Sequence, residues 1–215
     1  MFRLKTHREA ASEWIRNGIL DGRYQRGQRL KQQELSQELG CSVIPVREAL
    51  HQLAAEGLVV LHPQRGAWVA DLDSRQLGEI YEVRICLETW AVVLAARGMT
   101  SEAAERIRTI LDKMDHPDIS VDEWVRLNWE FHDSIYASSG QKYLREMISN
   151  LRLSVECYLR LDLAKVGDFA SGRREHHLIF QACLRRDARA AKRYTAAHLR
   201  RVSQGVMRYL EQHRK

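Results

Sequence analysis

Residues 40–70 read GCSVIPVREALHQLAAEGLVVLHPQRGAWVA, and this stretch decides the fold. Ser42 is a residue type that favours a helix N-cap. Pro45 then falls in the first turn, where its missing N–H has no helical partner to lose. Val46, Leu50 and Leu53 recur on one face and Gly57 ends the run, so the pattern predicts a helix to about Glu56. Leu58–Leu61 and Ala67–Ala70 are short β-rich runs on either side of His62-Pro63-Gln64-Arg65-Gly66, which reads as a hairpin. Working upstream, Leu35 and Leu39 place a helix over about 31–39, with Gly40 closing it. Ala11, Trp14, Ile15 and Ile19 place another over about 6–20. Between them, Gly22 and Gly27 mark a loop that carries Arg23, Arg26 and Arg29.

Helix, helix, tight turn, helix and hairpin, in that order, is the layout of a winged helix-turn-helix. A recognition helix enters the major groove with its N-terminal residues first. Ser42, Val43, Ile44 and Arg47 fall at the tip or on the outward face, while Leu50 and Leu53 anchor the far side. Arg47 can bind guanine through two hydrogen bonds, worth roughly 1–3 kcal/mol of discrimination. The N-terminal amides of this helix, and those near Lys31, suit phosphate. Arg65 and Gly66 at the hairpin tip would bring a guanidinium to the minor groove. The competing reading is a small helical domain with an ordinary solvated Arg47.

The whole chain has 215 residues with 34 Lys+Arg and 28 Asp+Glu, a net charge of +6. Residues 1–72 hold ten basic and eight acidic residues, so neither part is a polycation and DNA binding must rest on where the charges sit. Three prolines and 12 glycines argue against a loop-rich or all-β chain. The longest apolar run, Trp90–Ala96, is far too short to span a membrane. No N-terminal signal pattern is present, so a cytoplasmic location is expected. Cys41, Cys86, Cys157 and Cys183 show no CxxC or zinc-finger spacing and read as buried free thiols in a reducing compartment.

From Asp73 onward six helices are expected, over about 74–97, 101–115, 119–138, 141–162, 172–186 and 188–212. Gly98, Pro117, Gly140 and Gly167 separate several of them. Ile80, Val83, Leu87, Ala91 and Leu94 read as the core stripe of the first. The fold class is therefore mainly α: a winged helix-turn-helix over 1–72 and an all-helical bundle over 73–215. Three helices each turn an imidazole inward. Asn128 and His132 share a face with Val121, Val125 and Ile135. His198 lies with Ala191, Thr195, Val202 and Val206. On the third helix the pattern does not separate His176 from His177, because Leu178–Leu184 is apolar nearly all round. A single inward histidine is ordinarily a satisfied core residue. Three in one apolar bundle are costly unless paired, and one metal ion would satisfy all of them. His7, His51, His62, His116 and His213 have no such setting.

Residues 15–70 resemble the DNA-binding domain of GntR-family transcriptional regulators. The blocks E-L-x-x-x-L-G, S-x-x-P-V-R-E-A-L, E-G-L-V and R-G-x-x-V occur in order. Two departures stand out: Val43 replaces the Arg common after the turn serine, and Gln33 replaces a basic residue before the E-L pair. Arg47 and Arg65 are left as the chief charged readers, and Val43 or Ile44 suits a thymine methyl. Residues 74–215 resemble the FCD ligand-binding domain of the FadR branch, in its shorter VanR-like form. The resemblance rests on Arg84-x-x-x-Glu88, LNWEFHDSI at 127–135, EHHLIFQACLRRD at 175–187 and AAHL at 196–199.

The resemblance implies a metal held by His132, His176 and His198. It selects His176 because the family's ligand follows a Glu and precedes an Asp, here Asp187, by eleven residues. The fourth ligand position holds Asn128 where the family usually has Asp. Three imidazoles and an amide leave about two positive charges on a divalent ion, which invites a carboxylate effector. Zinc, nickel, iron and manganese all suit such ligands. Arg84 is then a second carboxylate anchor, or else the ion-pair partner of Glu88. The function expected is a metabolite-responsive transcriptional regulator, a repressor. A homodimer would bind a pseudopalindromic operator on double-stranded DNA and sense a small organic acid. The rival readings are a constitutive DNA binder with a vestigial sensor and a metal-dependent hydrolase. The hydrolase lacks a general base: there is no H-E-x-x-H, and Glu130 lies off the face of His132.

Overall fold

The computed structural model describes residues 6–166 and 169–212. It divides into two compact units: Met1–Leu72 with Leu153–Cys157, and Asp73–Arg152 with Tyr158–Lys215. In the first unit, α1 spans His7–Leu20, α2 Gln32–Glu38 and α3 Val43–Ala55. Thr6 starts α1 with a capping box: its hydroxyl accepts from Glu9 N while the Glu9 carboxylate accepts from Thr6 N. Both α2 and α3 end in a glycine with positive φ, Gly40 at 61° and Gly57 at 76°. At each, the two backbone bonds of a Schellman motif close the helix, Cys41 N to Ser36 O and Leu58 N to Leu53 O being the longer loops. That geometry sets the tight turn between α2 and α3 and the abrupt start of the hairpin.

The hairpin is β2 (Val59–His62) and β3 (Gly66–Val69), with Val60 opposite Trp68. A strand not expected from the sequence, β1 (Arg29–Leu30), pairs antiparallel with β3 and gives the order β1-β3-β2. Two residues are too few to show a period-two pattern, so the loop reading was the natural one. Ile15, Leu35, Val46, Leu50, Leu53, Leu58 and Val69 form the core beneath the helices and the wing. A bidentate pair between Arg16 and Glu56 ties α1 to the end of α3.

The second unit contains α4 (Ser74–Gly98), α5 (Ser101–Met114), α6 (Val121–Ala137), α7 (Lys142–Val166, apart from Leu153–Cys157), α8 (Phe169–Leu184) and α9 (Ala188–Gln212). The six helices fall where the sequence places them, except that α7 runs further and α8 starts earlier. Gly167, taken as their separator, lies outside the described residues, as does His213. Asp73, Thr100 and Ser120 accept from the third backbone amide of α4, α5 and α6. Helix α4 packs along α9 and also meets α6 and α8. The core runs from Ala91, Ala95 and Ile107 through Phe131 and Ile135 to Ile179, Cys183 and Ala191.

Two expectations fail here. On α4 the buried face is Leu77, Tyr81, Arg84, Ile85, Glu88, Ala91, Val92 and Ala95. Of the stripe read from the sequence only Ala91 is buried; Ile80, Leu87 and Leu94 are half-buried, and Val83 is 48% exposed. The helix is apolar on two sides, and the side that faces its neighbours carries an ion pair, which disguised it. The thiols also differ: Cys157 and Cys183 are buried, Cys41 is half-buried, and Cys86 is exposed on the outward side of α4.

Candidate functional site

In the first unit, Ser42 occupies the N-cap of α3 without using its side chain there. Val43, Ile44 and Arg47 project from the first turn and a half into solvent, with Ile44 60% exposed. An isoleucine so exposed at a helix tip leaves most of its side chain open to meet an apolar base edge. Lys31 is the N-cap of α2 and is exposed, but it pairs with Glu34 at 2.7 Å. Gln33, Arg65 and Gly66 are exposed. The pairing of β1 with β3 also brings the Arg29 guanidinium within 3.9 Å of where a Gly66 side chain would sit. Arg29 reads as a loop residue in the sequence, and its two-residue pairing with Trp68 is what carries it to the wing.

In the second unit, His132 on α6, His176 on α8 and His198 on α9 converge. One ligand nitrogen from each lies within 4.8 Å of the others, and all three residues are buried. The ring centroids stand 4.9 to 5.1 Å apart, a nearly equilateral triangle. His177, the alternative on α8, faces away and pairs with Asp115 at 2.8 Å. Asn128 is half-buried one turn before His132. Asp187 caps α9 by accepting from Ala190 N. Glu130 is exposed and bonds Arg126.

The three rings are held differently. His198 places Nδ1 2.7 Å from Glu175, whose carboxylate also takes two bonds from Arg201. Burial alone would raise the pKa of Glu175, but the hydrogen bonds from His198 and Arg201 hold it at about 2. The carboxylate therefore keeps the His198 proton on Nδ1 and turns the Nε2 lone pair to the other side. His132 has Nδ1 3.3 Å from the Tyr136 hydroxyl, and that hydroxyl donates to Glu88. Glu88 in turn accepts from Arg84 Nε at 2.7 Å, an ion pair buried at both ends. Burial works against the Arg84 charge, yet the Glu88 carboxylate outweighs it and raises the pKa. Burial, with Glu88 beside it, lifts Tyr136 well above its ordinary value.

His176 has neither support. Both its ring nitrogens are buried without a hydrogen-bond partner. It is held by packing, 5.8 Å from the Trp124 ring and 4.7 Å from that of Phe131. Gly172, one turn earlier on α8, makes room for that indole: a Cβ there would stand 2.8 Å from Trp124 Cζ2. Burial first, and the neighbouring His198 next, drive His132 and His176 well below the ordinary 6.5. Those two rings are thus neutral ligands at neutral pH. Two orphaned nitrogens on a fully buried imidazole cost free energy, and a cation on the lone-pair nitrogen would return part of it. The donor set fits: three imidazoles suit a divalent transition metal.

Residues 7–69 match the gntR family of bacterial regulatory proteins, and residues 79–201 match the FCD domain. The transcriptional repressor GlaR of Escherichia coli is 32% identical over 86% of this chain and 89% of its own. The chain belongs to the gntR family of bacterial regulatory proteins, with an FCD domain. It is a DNA-binding transcriptional regulator, and repressors stand among its relatives. The regulator YdhC of Bacillus subtilis is 28% identical over 92% of this chain and 90% of its own. The structure of McbR/YncC of E. coli superimposes with a TM-score of 0.76 at 25% identity, covering 99% of this chain and 100% of that one. In this GntR regulator the exposed first turn of α3 and the wing tip belong to the part that matches the DNA-binding family. The histidines belong to the part that matches FCD.

Proposed function

We propose that this regulator is a homodimeric, metabolite-responsive repressor. It would read a pseudopalindromic operator through Arg47, Val43, Ile44 and Ser42 in the major groove and Arg65 and Gly66 at the minor groove. Lys31 and Gln33 would contact the backbone. Its FCD unit would hold a divalent transition metal on His132, His176 and His198, with Asn128 as fourth ligand, and bind a small organic acid there. The observation that carries the sensor reading is His176: an imidazole with two unpartnered nitrogens, at one corner of a triangle of imidazoles. A bound metal would supply a fixed positive charge to which a carboxylate can coordinate. Around it the protein contributes positive potential of its own, since Arg84 and Arg152 both disfavour protonation of His132. Arg84 spends Nε on Glu88 and keeps its terminal nitrogens for a second carboxylate.

The outward side of α4 supports the dimer. Val83 and Trp90, the latter 55% exposed, flank Leu87 and Leu94 in an apolar row that a second copy can cover. Two copies related by a twofold axis present two α3 helices to half-sites about one helical turn, or a multiple of it, apart. An acid bound in the FCD unit would shift the placement of the reader through the linker at Asp71–Ser74, within the roughly 1–3 kcal/mol typical of allosteric coupling. The test combines elemental analysis of the purified protein with thermal shifts against small mono- and dicarboxylates, with and without chelator. Acids that raise the melting temperature are then titrated into an operator complex followed by fluorescence anisotropy. Metal found, and operator affinity changed by an acid only when metal is present, is the expected result. No metal and no acid effect would leave a constitutive DNA binder.

A further inference from the structure

The structure assigns Glu88 and Tyr136 a task as positioning residues: together they fix which nitrogen of His132 faces the centre of the histidine triangle. What the freed nitrogen binds, and that alone, rests on the metal reading proposed above. Glu88 comes from α4 and is 1% exposed. Its two oxygens have separate donors, Arg84 Nε on Oε1 and the Tyr136 hydroxyl on Oε2. Tyr136 lies one turn after His132 on α6, with its oxygen 3.3 Å from Nδ1.

A phenol has one proton. Committed to Glu88, it leaves the Tyr136 oxygen only lone pairs to offer His132, so Nδ1 must carry the ring proton and Nε2 the free pair. The reverse arrangement turns the hydroxyl toward Nδ1 and strips a buried carboxylate oxygen of its donor, the more expensive defect. The relay thus does at one remove what Glu175 does for His198 directly at 2.7 Å. His176 has no such partner. The three ligands are therefore unequally prepared: one oriented by a carboxylate, one by a carboxylate acting through a phenol, one by aromatic packing alone. The relay begins on α4, the helix that continues the chain from the reader unit.

The test uses full-length, metal-free protein labelled with ¹⁵N-histidine, whose long-range ¹H–¹⁵N correlations report the tautomer of each ring. Wild type should show Nδ1–H for both His132 and His198. Tyr136→Phe should move His132 toward Nε2–H, leave His198 unchanged, and weaken cobalt(II) affinity roughly 10- to 100-fold, as loss of an outer partner does. The cobalt d–d spectrum reports binding separately from any DNA assay. Wild-type His132 found as Nε2–H overturns the assignment, and this needs no variant to fold. A folded Tyr136→Phe with unchanged tautomer and unchanged cobalt affinity overturns it too. Wild type with the Nδ1–H tautomer but no cobalt binding overturns the metal reading and leaves the relay standing.

Discussion

Replacing His176 with leucine separates a metal ligand from an ordinary core histidine, because the two readings give opposite signs. The ring is 0% exposed and neither nitrogen has a partner. Leaving such groups unsatisfied costs roughly 1–3 kcal/mol. Leucine has nearly the same volume, so little cavity or overpacking follows. What is lost is the contact with Trp124 and Phe131, worth roughly 0.5–1.5 kcal/mol. Chelator-treated His176→Leu should therefore be at least as stable as chelator-treated wild type, by about 0–2 kcal/mol, or roughly 0–8 °C in Tm for a chain of this size. Zinc at about a hundred times its Kd should stabilise wild type by about 2.7 kcal/mol, which is roughly 5–10 °C. The variant should gain none of this. Differential scanning fluorimetry with zinc and with chelator reads all four states. A variant that melts clearly below wild type in chelator, or that shifts with zinc as wild type does, would refute the reasoning.

Other substitutions probe other parts. Arg47→Ala should weaken operator binding by about 1–3 kcal/mol and relax the base preference at one position, measured by anisotropy against a set of single-base operator variants. Lys31→Ala should weaken binding to all sequences alike and flatten the salt dependence by about one phosphate contact. Gly172→Ala drives a methyl into the Trp124 ring and should destabilise the FCD unit by about 1–3 kcal/mol while lowering zinc affinity, read by thermal melts and chelator competition. Burial pushes the Cys183 thiol up to about 12, so the fold keeps its proton where the unfolded chain, near 9.0, has released it. Stability should then fall as pH rises above about 9, and Cys183→Ala should flatten that fall in urea melts across the alkaline range.

What was legible in the sequence follows from how locally each feature is encoded. The bounds of α3 rest on Ser42, Pro45 and Gly57, all acting within a turn of the helix, and the structure places the helix at Val43–Ala55. The convergence of three imidazoles was legible because 3.6-residue periodicity assigns each to an inward face. Periodicity does not choose between His176 and His177, because α8 is apolar nearly all round; the family resemblance makes that choice. It took Asp115, 62 positions away in sequence, to hold His177 outside. The face of α4 was misread for the same kind of reason. The i,i+4 spacing offers the Arg84–Glu88 pair, but only the folded bundle, where Tyr136 on α6 donates to Glu88, turns that pair inward. The Glu175 and Tyr136 contacts to the imidazoles likewise join residues whose geometry only the folded bundle sets.

The indole of Trp124 that wedges the His176 ring is also a fluorophore. At 5.8 Å from that imidazole and 3% exposed, it sits in short-range quenching distance of any ion the ring grips. Ions with unpaired d electrons, such as cobalt or nickel, would darken its emission, whereas closed-shell zinc would leave it bright. The packing that steadies one ligand thereby equips the molecule with an optical gauge of which element it carries.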